Sequence, residues 1–112
     1  MKEQIRSMAI LQPHSGKEPE MQALLREFYT VMQSKGYSRD MLFQDVKQPT
    51  ILVHIRVWTS EEARQLAVQD PDVHRFWIKL PELGTITTIY EDLKMVFSTV
   101  EGEVEDHLGS EA

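Results

Sequence analysis

Residues 50–77 read TILVHIRVWTSEEARQLAVQDPDVHRFW. From Ile51 to Trp58 the chain alternates β-branched and other residues, the period-2 pattern of a strand. Ile51, Val53, Ile55 and Val57 are expected to lie under helices, with Leu52, His54, Arg56 and Trp58 pointing the opposite way. Thr59 and Glu62 then stand at capping-box spacing, which opens a helix at the strand exit. Asp70-Pro71 interrupts that helix and restarts it, with Val73, Phe76, Trp77 and Leu80 as its apolar face. Pro81 and Gly84 are expected to end it.

Working outward, Lys47-Gln48-Pro49-Thr50 joins this strand to an earlier one at about 40–46, and so short a connection reads as an antiparallel hairpin. Ile5 to Gln12 forms the first strand, with Met8 and Ile10 facing one way and Ala9 and Leu11 the other. A turn at Pro13-His14-Ser15-Gly16-Lys17 leads to a helix with Pro19 in its first turn. Met21, Leu24, Leu25, Phe28, Val31 and Met32 keep the helical rhythm, and Gly36 closes it. A long last strand runs from Thr85 to about Ser98, with a bend or bulge at Glu91-Asp92. The order β-α-β-β-α-β predicts an α+β, ferredoxin-like antiparallel sheet with the helices on one face.

One domain is expected over residues 1–98, followed by an acidic, flexible tail over 99–112. The chain has 112 residues and a net charge of −6. The tail holds five acidic residues and no Lys or Arg, so residues 1–98 carry only −1. A nearly neutral body without a basic stripe argues against nucleic acid as a partner. The chain has no cysteine, which removes thiolate chemistry, disulfides and cysteine-ligated metal. No apolar run is long enough to span a membrane, and the first residues lack the apolar stretch of a secretory signal, so a cytoplasmic location is expected.

The Pro13-His14-Ser15-Gly16-Lys17-Glu18 turn, Val57-Trp58-Thr59-Ser60-Glu61-Glu62 at the strand exit and Asp70-Pro71-Asp72-Val73-His74-Arg75-Phe76, in this order, resemble the antibiotic biosynthesis monooxygenase family of the dimeric α/β-barrel superfamily. The resemblance covers roughly residues 5–98. It implies a homodimer packed sheet to sheet as a dimeric α/β barrel, with a substrate pocket in each subunit between helices and sheet. It also implies oxidation of aromatic or quinol-like substrates by molecular oxygen without a bound flavin or metal, so no cofactor is expected. Relatives in the superfamily that degrade haem use an Asn, a Trp and a His. This chain contains no Asn, and Leu66-Ala67 stand where those relatives place the Trp. Leu52 and Trp58, grouped with Met8 and Ile10, are expected on the dimer face.

Candidate site residues follow from chemistry and spacing. His54 reads either as an acid/base group, because imidazole titrates near neutrality, or as an interface histidine. Arg56 either binds an anionic substrate oxygen or pairs with a carboxylate such as Asp45 or Glu91. Trp58 either stacks on a flat substrate or packs. His74 and Trp77 lie three apart on one helix face and, with Phe28 and Tyr29, outline an aromatic box with polar handles. The histidines at 14, 54, 74 and 107 lack ligand spacing, so no metal site is expected. The expected function is a cofactor-independent monooxygenase acting on a small aromatic or quinol-like substrate, with His54 or His74 assisting its deprotonation. The alternative is a non-catalytic, dimeric small-molecule-binding or stress-associated protein of the same fold.

Overall fold

A computed structural model describes residues 4–100. The proposed tail therefore lies outside the described residues, apart from its first two positions. The elements run β1 (Ile5–Pro13), α1 (Glu18–Ser34), β2 (Ser38–Gln44), β3 (Leu52–Trp58), α2 (Glu61–Gln69), α3 (Pro71–Leu83) and β4 (Gly84–Lys94). All pairings are antiparallel, in the order β2-β3-β1-β4, which is the expected ferredoxin-like arrangement. The strand after α3 leaves it at Gly84, where an added Cβ would collide with the Met21 side chain, the Gln12 carbonyl and Pro13 Cα. A glycine is required there by close approach, not by backbone angle.

Local chemistry accounts for most boundaries. Pro19 sits in the first turn of α1, and Met21, Leu25, Phe28 and Met32 form its buried stripe. At its end Tyr37 N–H donates to the Met32 carbonyl and Gly36 N–H to that of Gln33. With Gly36 at φ 73°, this is a Schellman stop. The N-cap of α2 is Ser60, whose Oγ accepts from Ala63 N–H at 2.9 Å, so the cap lies one residue beyond the expected Thr59. Thr59 instead donates to the carbonyl of Gly36 at 2.7 Å and ties the strand exit to the end of α1. Asp70 caps α3 through Asp72 N–H, and Pro71 follows in the first turn. Pro81 lies inside α3, which continues to Leu83. In β4 the pairing with β1 slips between Leu93 and Tyr90, which places a bulge at Glu91-Asp92 as expected, and slips again near Thr87.

One expectation is reversed. Leu52, His54, Arg56 and Trp58 face the helices and are buried, whereas Ile51, Val53, Ile55 and Val57 are half-buried on the open face. Leu52 therefore stands beside Leu11, and His54 beside Ala9, inside the core with Met21, Phe28 and Phe76. Met8 and Ile10 keep the open face, paired with Ile55 and Val53. The side-chain period of a strand is two, so assigning one residue to the wrong face inverts all of them. Both sets of β3 side chains can fill an apolar layer, and the deciding factor is where the partners of His54 and Arg56 lie.

Candidate active site

Arg56 is 3% exposed, and its charge is answered from the neighbouring strand. Arg56 Nε donates to Asp40 Oδ1 at 2.6 Å, and the Asp40 side chain is fully buried. The expected partners, Asp45 or Glu91, are replaced by Asp40, which the hairpin register sets directly opposite Arg56. Ser38 Oγ adds a hydrogen bond to the same carboxylate at 3.2 Å. Burial pushes the Asp40 carboxyl above its usual range, while Arg56 pulls in the other direction. The guanidinium carbon lies 4.7 Å from the Phe28 ring centre and 5.3 Å from that of Trp58. The aromatic faces thus meet a cation whose charge is already paired.

His54 is 7% exposed, and its Nδ1 lies 2.6 Å from the Tyr29 hydroxyl across nearly parallel rings. Burial, and secondarily the Arg56 charge, holds the imidazole down to about 3, so it is neutral at physiological pH. Burial also keeps the Tyr29 phenol protonated well beyond its usual range. Trp58 Nε1 donates to Ser7 Oγ at 3.1 Å, and Ser7 in turn donates to the Glu91 carbonyl at the β4 bulge. The indole is thereby anchored edge-on to β1 and β4.

These side chains surround a cavity of about 410 Å³ between the sheet and helices α2 and α3. His54, Arg56 and Trp58 line it from the sheet, while Ala67, Val73, His74 and Trp77 line it from the helices. A cavity of this size suits a small aromatic molecule. Of the seven expected site residues, five line the cavity. Phe28 and Tyr29 stand behind it. Phe28 stacks on Phe76 and meets Trp77 edge-on, and Tyr29 contacts the far side of His54. His74 is exposed at the rim, with Nε2 against the Val68 carbonyl.

Among the described residues, every buried side-chain N or O sealed from solvent has a partner. The hydrogen bonds of His54 and Arg56 use Nδ1, Nε and Nη2. That leaves His54 Nε2 and Arg56 Nη1 as the nitrogens of these two cavity-lining residues that Tyr29 and Asp40 do not occupy. Sequence reading missed three parts of this site: Asp40, Ser7, and Arg64 at the mouth, which pairs with Asp92 at 2.6 Å. The available signal for Asp40 was the hairpin register, since opposing Gln44 to Leu52 sets Asp40 against Arg56. Among the described residues, no cluster of three or more His, Asp or Glu side chains is arranged to hold a metal ion.

A four-stranded antiparallel sheet with one helix-covered face and a cavity beneath α2 and α3 defines a small ferredoxin-like α+β domain. The chain belongs to the antibiotic biosynthesis monooxygenase family, whose model matches residues 5–77. Among solved structures it is similar to SnoaB, a cofactor-independent oxygenase from Streptomyces nogalater, at 16% identity and a TM-score of 0.67, covering 85% of this chain and 98% of that one. It is also similar to Rv0793 from Mycobacterium tuberculosis, at 18% identity and a TM-score of 0.68, covering 83% and 98%. A conserved protein from Bacteroides thetaiotaomicron aligns at 9% identity and a TM-score of 0.74, covering 85% and 100%. At these identities the likeness shows the fold alone. No protein with a curated description matches the chain.

Proposed function

We propose that the protein is a cytoplasmic, homodimeric, cofactor-independent monooxygenase for a small aromatic hydroxyl or quinol-like compound. The observation that carries this reading is that His54 and Arg56 line an aromatic-walled cavity in a chain of this family. The flat substrate lies between Trp58 and Trp77, with its hydroxyl toward His54 and Arg56. His54 is the candidate base, already neutral and so able to accept a proton, while Arg56 stabilises the resulting oxygen anion. His74, at the rim, is the second candidate base. The anion is electron-rich at ring carbon, which bonds to one atom of molecular oxygen and forms a hydroperoxide. The O–O bond breaks as that carbon's proton and the terminal hydroxide leave together as water and a carbonyl forms, so one oxygen atom enters the product and the other leaves as water. The four electrons removed from the substrate reduce the oxygen, and no external reductant is consumed.

The test is oxygen uptake with anthrone and 1,4-dihydroxynaphthalene as probes, corrected for autoxidation, in wild type and in His54→Ala and His74→Ala. Uptake that depends on enzyme and falls on the order of 10²-fold or more in one of the variants supports the reading. Saturable binding of the probes without uptake favours the alternative, a non-catalytic dimeric binding protein. One feature of the site favours that alternative: the low basicity of the buried imidazole. Neither uptake nor binding would remove both.

The homodimer rests on the open sheet face. Met8, Ile10, Val53 and Ile55 are contiguous there, flanked by Met41 and Phe43 at 43% and 50% exposure. A sheet face this apolar is expected to be covered by another protein surface, and a second copy is the simplest. No helix among the described residues is long and apolar enough to cross a membrane.

A further inference from the structure

Tyr29 has two hydrogen-bonding contacts and one proton. Its hydroxyl lies 2.6 Å from His54 Nδ1 and 3.5 Å from the Met41 carbonyl oxygen on β2. A carbonyl can only accept. Both contacts are satisfied together only when the hydroxyl donates to Met41 and accepts from a proton on His54 Nδ1. The neutral imidazole has one N–H, so this arrangement leaves a lone pair on Nε2, the ring nitrogen that Tyr29 does not occupy. Helix α1 fixes the geometry: Phe28 points into the core, and Tyr29, one position on, falls between α1 and β2. Tyr29 also lines a second depression of about 260 Å³ with Gln22, Arg26, Leu42 and Gln44, outside the substrate cavity.

We propose that Tyr29 is a positioning residue that holds His54 with its Nε2 lone pair toward the cavity and relays the substrate's proton to the α1–β2 side. When His54 Nε2 takes the hydroxyl proton of the substrate, Nδ1 passes its own proton to Tyr29 Oη. The Tyr29 hydroxyl proton then moves to water in the second depression. One proton enters the chain and one leaves, and both residues end neutral. The relay addresses a difficulty left by burial, which disfavours both a charged His54 and an ionised Tyr29. A proton moved through neutral tautomers avoids either charge. This inference rests on the proposed oxygenase reading for its chemistry, but its structural half does not.

The structural half is tested without substrate, by long-range ¹H–¹⁵N correlation spectra of the histidine rings in wild type and Tyr29→Phe. The expected result is that His54 carries its proton on Nδ1 in the wild type. In Tyr29→Phe, which removes a single hydroxyl, the signal shifts toward the Nε2–H form. A wild-type His54 that is already Nε2–H, or a tautomer unchanged by the substitution, overturns the proposal whatever the activity. The relay is tested on oxygen uptake with the same anthrone probe. In Tyr29→Phe, kcat should fall on the order of 10²-fold with KM nearly constant, and the solvent deuterium isotope effect on kcat should change. An unchanged isotope effect removes the relay and leaves only the positioning. A failure of oxygen uptake in the wild type, beside an Nδ1–H imidazole, removes the oxygenase reading and the relay and leaves the positioning standing.

Discussion

The two faces of β3 differ in a way that runs against their appearance. The helix side carries Leu52, His54, Arg56 and Trp58, three of which have polar atoms, and all four are buried. The open side carries Ile51, Val53, Ile55 and Val57, none of which does, and no helix packs on it among the described residues. Polarity along a strand reports where partners lie, not where water lies. Arg56 is inside because Asp40 is opposite it, and His54 is inside because Tyr29 reaches it from α1. The open face is apolar, which on our reading a second copy of the chain covers. One face is therefore stabilised by matched polar pairs within the chain, and the other, on our reading, by association.

The harshest way to break this comparison is to remove one partner from the buried pair. Asp40→Ala leaves the Arg56 guanidinium uncompensated in the core, and breaking a buried pair costs about 3–5 kcal/mol. The urea midpoint is expected to fall by that free energy divided by the m-value. Replacing both partners, as Asp40→Ala with Arg56→Met, should recover most of it, because an apolar pair carries no unanswered charge. A loss under about 1 kcal/mol for Asp40→Ala would mean that water reaches the pair, and the contrast between the faces would fail.

The open face is broken at its centre. Ile55 lies between Met8 and Met41 on the neighbouring strands. Ile55→Asp places a charge in the middle of the proposed contact and forfeits about 1.5–3 kcal/mol of apolar burial for each copy. Sedimentation velocity should show a dimer for wild type and a monomer for the variant. A wild-type monomer would show that the face is solvated and would end the dimer reading outright.

Acid separates the faces more gently, because only the buried one titrates. The unfolded histidine takes up a proton below its ordinary value near 6.5, whereas folded His54 resists until about 3. Between those values the unfolded state binds more protons, so stability falls as pH falls. From pH 7 to pH 5 the loss from His54 is expected to be about 1–2 kcal/mol, and to vanish in His54→Gln. The Asp40 carboxyl, raised by burial, acts with the opposite sign but is present in both proteins, so their difference isolates the histidine. Asp70 is held near 2 by Lys35 and Tyr37, and its contribution is lost at lower pH, as pH falls from about 4 toward 2. Equal slopes in wild type and His54→Gln would show that the imidazole charges freely in the fold.

Much of this architecture is legible in the sequence where local chemistry decides it. The stripe and Schellman stop of α1, the break at Asp70-Pro71, the hairpin and the bulge at Glu91-Asp92 all follow from neighbours along the chain. The faces of β3 do not, because they depend on which residues of other elements lie above them. Thr59 and Ser60 are both good caps, and only the backbone path selects Ser60. The site was half legible for the same reason. The aromatic and basic side chains could be named, but Asp40 is sixteen residues from Arg56, and Ser7 fifty-one from Trp58. Tyr29 was expected among the lining residues, and a single helical step past Phe28 carries it behind His54 instead.

The subtlest probe lies at the end of the open face. Val57 is flanked by Arg6 on β1 and Arg39 on β2, so the apolar centre gives way there to a charged border. Interfaces commonly have this form, a dry centre and a polar rim whose residues contribute little. Val57→Thr keeps the shape of the side chain and adds a hydroxyl. At a wet rim that hydroxyl stays solvated, and the dimer should keep its dissociation constant within a few-fold, a change of less than about 1 kcal/mol. The same exchange at Val53, beside Ile10 and Phe43, buries the hydroxyl without a partner and should cost about 1–3 kcal/mol. Measuring both by dilution would map the centre and the border. Equal effects at the two positions would mean that the second copy covers the whole strand, rim included, and that the two arginines are paired across it.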